Sequence, residues 1–230
     1  MSKKILSLLM GLVVVTSLVG CKSAAENAEK KTETKTVEST DSSDQNLEGK
    51  WAKNYTLDQT QKVFKDKLSK MENITKDLGV KYTKDEKIKK EKDENIDDNF
   101  IYFDNKSPEA NKIESMYFGM KTYGDNLETG DISLELSLNF DGDAAIKDNN
   151  FDLGKTSFKK YIEAFTDQEN RDYSDINKEI ISKLKNGDKQ VDIKDTVDGL
   201  KEEIIATKEC IIYKLSTKKY KFADGEMSMK

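Results

Sequence analysis

The chain has 230 residues, 36% of them charged and 35% apolar, with a net charge of −5 and no histidine. Without histidine there is no Ser-His-Asp or Cys-His catalysis, no imidazole base and no histidine-ligated zinc, copper or haem. All but one of the 39 basic residues are lysine, Arg171 being the exception, so planar bidentate recognition of phosphate or carboxylate is not expected to be the chain's main business.

Lys3 and Lys4 precede an almost unbroken apolar run, Ile5 to Val19, which closes in Leu18-Val19-Gly20-Cys21. A helix rises 1.5 Å per residue and needs about 20 apolar residues to cross a bilayer, so the run is too short for a span. A basic start, an apolar centre and small residues before the cut are the parts of an export signal. With the cysteine in place, the segment resembles the lipobox of bacterial lipoprotein precursors of the Gram-positive type. The resemblance implies that residues 1–20 are a cleaved signal peptide and that Cys21 is the diacylated N-terminus of the mature chain. It also implies anchorage on the extracytoplasmic face of the cell membrane, since each acyl chain contributes about 0.8 kcal/mol per buried methylene and two chains hold stably. Loss of Lys3 and Lys4 would leave 37 basic and 44 acidic residues, a net charge near −7.

Residues 21–50 hold the lipidated cysteine and almost no large apolar side chain, too little to offset the entropy of ordering. They are expected to form a flexible tether with a span of roughly 30 Å. A single domain is expected over 51–230, opening at Trp51 and Tyr55. Thr56 is placed to cap a helix whose stripe runs through Leu57, Phe64, Leu68, Met71 and Leu78, with Gly79 as the stop. A strand is predicted from Val80 to Tyr82. The charge run Lys84–Asp98 fits either a solvated hairpin or a mobile loop, and Asn99–Asp104 a buried strand. Met116, Phe118 and Met120 alternate with polar or small neighbours, as do Ile132, Leu134, Leu136, Leu138 and Phe140, so the two runs form an antiparallel hairpin.

The period then becomes helical. One stripe is Phe158, Tyr161, Ile162 and Phe165, and a second is Tyr173, Ile176, Ile180 and Leu184, closed by Asn186-Gly187. Ile193, Val197, Leu200 and Ile204 predict a third helix, weakened by Gly199. The last strand presents Ile211, Tyr213 and Leu215 on one face. Its parity shifts at Tyr220 and Phe222, so a bulge or bend is expected between Ser216 and Lys219. The order gives an α+β fold, an antiparallel sheet packed with amphipathic helices.

Several motifs fail for want of companions. Gly154-Lys155-Thr156 resembles the end of a phosphate loop, but Asn149 stands where its first glycine belongs. Ser157 and Lys160 have the spacing of penicillin-recognising enzymes, as do Ser182 with Lys185 and Ser216 with Lys219, without the other elements of that site. Asp141-Gly142-Asp143 suits a turn better than a calcium loop. Cys210, set among Ile211, Ile212 and Tyr213, is expected to be a small hydrophobe. Lys214, Lys218, Lys219 and Lys221, interleaved with Tyr213 and Tyr220, are candidate contacts for a polyanion such as DNA or teichoic acid. The competing reading is an edge strand whose lysines block aggregation. No cofactor, no metal site and no catalytic residue is expected. The expected role is a non-catalytic binding module at the cell surface, with another envelope protein among its potential partners. Polyanion capture and carboxylate-based hydrolysis of a wall polymer are the alternatives.

Overall fold

The computed structural model describes residues 47–91 and 94–222, with side chains described outside 89–94. Helix α1 (Leu57–Asp77) starts at Thr56 with a reciprocal cap. The Thr56 hydroxyl accepts from Gln59 N at 3.3 Å and the Gln59 side chain accepts from Thr56 N at 3.0 Å. Strands β1 (Thr83–Glu91), β2 (Glu94–Asp104), β3 (Lys112–Tyr123) and β4 (Thr129–Asn139) follow as an antiparallel meander. The charge run is thus the β1–β2 hairpin, and the strand expected at Val80 begins three residues later, at Thr83. Three helices come next: α2 (Gly142–Asp148), α3 (Phe158–Thr166) and α4 (Ser174–Lys185), with a 3-10 turn at Leu153–Lys155. The chain closes with β5 (Val191–Val197), β6 (Leu200–Ala206), β7 (Cys210–Ser216) and a short β8 (Tyr220–Lys221).

The strands form one antiparallel sheet ordered β1-β2-β3-β4-β7-β6-β5, with β8 continuing beside β4. Alternation sends Met116, Phe118, Met120, Ile132, Leu134, Leu136, Leu138, Ile211, Tyr213 and Leu215 to the helix-covered face, all buried. There α1 packs on β2, β3 and α3, while α4 packs on α2 and β5. Phe118 sits between Phe64 and Phe165, with both ring centroids 5.5 Å away. A side chain buried to this degree contributes about 1.5–3 kcal/mol. The fold is the expected α+β class.

The predicted third helix is corrected to the β5–β6 hairpin. Asp198 (φ 51°) and Gly199 (φ 85°) are its two-residue turn, both with the positive φ that a tight hairpin demands. Val197, Leu200 and Ile204 share the inner face of two paired strands, and their spacing imitates a helical stripe. A second correction concerns β7, which lies between β4 and β6 and is not an edge strand. The expected bulge is present. Between the pairs Ser133–Ser216 and Gly130–Tyr220, β4 advances three residues while the opposing chain advances four.

Three other local expectations have physical counterparts. Asp141 caps α2 by accepting from Ala144 N at 3.0 Å, and Asp143 pairs with Lys208. The Thr156 hydroxyl accepts from Phe158 N at 3.2 Å at the start of α3, so Gly154-Lys155-Thr156 is a helix entry. Cys210 is a half-buried free thiol 3.4 Å from the Ser137 hydroxyl, and burial pushes it above the ordinary thiol range, away from the reactive thiolate. The predicted signal peptide, Cys21 and the tether through residue 46 lie outside the described residues.

Candidate functional site

The lysines and tyrosines singled out in the last strand part company. Neighbouring residues of a strand point to opposite faces, so lysines interleaved with aromatics cannot share a surface with them. Tyr213 and Tyr220 face the helices, fully buried, and their hydroxyls donate to Glu202 and to the Trp51 carbonyl. Burial, then the Glu202 carboxylate, pushes the Tyr213 phenol well above its ordinary value. Lys214 is on the other face, 3.6 Å from Glu135 and opposite Glu203 in the register. Lys218 and Lys219 lie at the bulge, and Lys221 is exposed on β8.

The aromatic partner on that outer face is Tyr123, which the sequence reading did not single out. Lys219 Nζ lies 3.8 Å from its ring centroid, and its hydroxyl donates to Asp131 at 2.8 Å. Next to it, Asp98, Lys121 and Asp131 form one row across β2, β3 and β4. The Tyr117 hydroxyl donates to Asp98 at 2.7 Å by folding flat over Gly119, where a Cβ would overlap it. Burial raises Asp131 above the ordinary carboxylate range, with Tyr123, Lys121 and Lys219 opposing. The face is therefore a mixed plane of tyrosines, lysines and carboxylates that are largely paired with one another.

The helix side holds an open groove. Residues 50–55 and the first half of α1 bound a groove of about 580 Å³. Trp51 anchors this segment, packed edge-on against Phe165 at 5.2 Å. At the base, Asp167 caps α3 in the left-handed conformation and gathers three ammonium groups: Lys50 at 2.8 Å, Lys67 at 2.5 Å and Lys70 at 3.2 Å. Burial opposes ionisation of Asp167, but those lysines hold its carboxyl well below the usual carboxylate range. Lys67 is only 2% exposed. Burial lowers its pKa, and Asp167 offsets only part of that. Its Nζ is ion-paired with Asp167 but not aligned for a hydrogen bond, and the buried Trp51 Nε1–H has no acceptor.

Arg171 makes the bidentate carboxylate contact not anticipated for it, inside the domain. Nη1 and Nη2 reach the two Glu202 oxygens at 2.5 and 2.7 Å, and Nη1 also donates to the Tyr213 hydroxyl at 2.9 Å. Glu202 stands 31 residues away on β6, and no local pattern links the two.

Among the described residues, no group of three or more acidic or cysteine side chains is placed to hold a metal ion, and no helix is long and apolar enough to cross a membrane. No protein-family model, curated protein or solved structure matches the chain significantly.

Proposed function

We propose that this protein is a lipid-anchored binding module of the bacterial cell surface, joined through Cys21 and a tether to a non-catalytic α+β domain. The observation that carries this reading is Leu18-Val19-Gly20-Cys21 at the end of the Ile5–Val19 run. A thiol carrying two acyl chains holds the chain on the membrane while the domain samples its surroundings. The domain offers two surfaces suited to binding: the polar outer face of the sheet and the lysine-lined groove along α1. The test is cell fractionation with Cys21→Ala. The native chain stays with the membrane and its mature form carries the acyl mass on Cys21. The variant is released or remains an uncleaved precursor. Equal membrane retention of a variant cleaved like the native chain, or an unmodified sulfur in the native chain, overturns the reading.

A second reading is capture of an extracellular polyanion on the outer sheet face. It is favoured by Lys219 over Tyr123, with Lys221 on the same side and Lys214 and Lys218 further along the strand. Phosphate engagement there weakens steeply as salt rises. Gel shifts with DNA at several salt concentrations test it, and no retardation at low salt removes it.

A further inference from the structure

We propose that the groove between residues 50–55 and α1 is a binding site for a phosphoryl group, held by Lys67 with Lys50, Lys53 and Lys62, and that Asp167 competes for the same ammonium groups. This rests on the binding-module reading and names the ligand chemistry of one of its surfaces.

Charge comes first. Four lysines and two aspartates line the groove, a surplus of two positive charges in a chain that is acidic overall. The hollow of about 370 Å³ on the other side of Asp167 has no such surplus, because Lys70 and Lys159 face Glu163, Glu169 and Asp167. A surplus of two matches a phosphate monoester, which carries close to two negative charges at neutral pH, better than a second carboxylate. Lysine binds phosphate as a point charge, so the scarcity of arginine is no obstacle.

Unmet hydrogen-bonding capacity comes second. The Lys67 ammonium has three protons, and Asp167, at 2.5 Å and shared with Lys50 and Lys70, cannot accept them all; its Nζ lies 5.9 Å from the Trp51 ring, whose buried Nε1–H has no acceptor. Buried donors in native proteins nearly always have acceptors, so the Lys67 protons that Asp167 does not take call for an oxyanion in the groove. Tyr55 and Val63 add apolar wall, which suits a phosphoryl group borne on an organic body.

Trp51 is the sole tryptophan, and Lys50 Nζ stands 4.9 Å from its ring, so its fluorescence reports on the groove. The experiment titrates the full chain in detergent micelles with glycerol 1-phosphate against potassium chloride at matched ionic strength, and separately with phosphatidic acid vesicles against phosphatidylcholine vesicles, which take up the acyl chains equally. A saturable change in Trp51 emission is expected with a phosphoryl probe and not with its control. Response to the soluble ester places the phosphoryl group on a soluble or polymeric ligand, and response to vesicles alone places it on a lipid headgroup. Lys67→Met weakens binding by about tenfold or more, the usual scale of a lost charge-assisted contact. Asp167→Asn removes the competing carboxylate and strengthens binding, which general damage to the fold would not do. Should Lys67→Met fail to fold, Lys53→Gln with Lys62→Gln on the groove rim gives the same loss. No saturable response to either probe, or unchanged affinity in the lysine variants, overturns the proposal. The Cys21→Ala fractionation is unaffected by that result, so the two readings fail separately.

Discussion

Replacing Arg171 by methionine isolates the energetics of the buried ion pair. The Glu202 side chain has 0% exposure and Arg171 17%, and the pair is reinforced by the Tyr213 hydroxyl. Burial works against the guanidinium charge, yet Glu202 holds Arg171 well above its ordinary value. Methionine fills much of the space of the arginine stem but leaves a desolvated carboxylate with one neutral donor. The expected loss at pH 7 is about 3–5 kcal/mol. With a urea slope of about 2 kcal/mol/M, the unfolding midpoint falls by roughly 1.5–2.5 M. Glu202→Leu alone strands the guanidinium and costs about 3 kcal/mol. The double variant Arg171→Met/Glu202→Leu removes both charges and costs about 2 kcal/mol, chiefly for the Tyr213 hydroxyl left without an acceptor. The two single losses therefore add up to far more than the double loss. Urea unfolding of all four proteins, followed by Trp51 fluorescence, measures this. If the double variant lost as much as the two singles together, the ion pair would not be the unit that sets the energy.

Two further outcomes follow from the same geometry. The Asp167 carboxyl is depressed on folding, so its contribution is present above the unfolded value of about 3.9 and is lost as pH falls through the lower folded value. Because that side chain is 42% exposed, solvent screens the effect, and Asp167→Asn is expected to cost about 1–2 kcal/mol at pH 7. The variant should also flatten the fall in stability below about pH 4; thermal unfolding across pH 2–7 decides this, and parallel profiles contradict it. Asparagine accepts the left-handed backbone at 167, so the substitution tests charge and not conformation. Gly199→Ala forces a Cβ onto a φ of 85° and against the Ala52 backbone, and should cost about 2 kcal/mol, or roughly 4–8 °C in Tm. A melting temperature within about 1 °C of the native one would mean the turn is not held against residue 52.

The parts of the fold that follow a single local rule were legible. Thr56, the α1 stripe and Gly79 announced a capped helix, strict alternation in β3 and β4 announced their hairpin, and the parity change after Leu215 announced the bulge. The β5–β6 hairpin was misread for one physical reason. Glu202 occupies an inward position that alternation reserves for apolar residues, because Arg171 neutralises it from a distant loop. Without that knowledge the surviving apolar spacing looks helical, and Asp198-Gly199, a strong turn signal, looks like a weak point in a helix. The groove was equally hidden. Lys67 and Lys70 look like ordinary polar positions of α1, and only the tertiary fold brings Asp167 and Lys50 to them. The lysines of the last strand were grouped with Tyr213 and Tyr220, which alternation sends to the buried face, and the aromatic neighbour of Lys219, Tyr123, arrives from another strand.

Trp51 N donates to the Asp198 carbonyl at 3.0 Å, Lys50 N to the Asp198 carboxylate at 2.8 Å, and the Tyr220 hydroxyl to the Trp51 carbonyl at 3.0 Å. A pull on the chain at residue 49 therefore loads the β5–β6 corner and the end of the last strand together, before any ladder of the sheet is strained. The indole, wedged against Phe165, acts as a stop knot. Stretched from its N-terminal side, the domain should yield first by surrendering residues 49–55, gaining slack while the sheet stays whole.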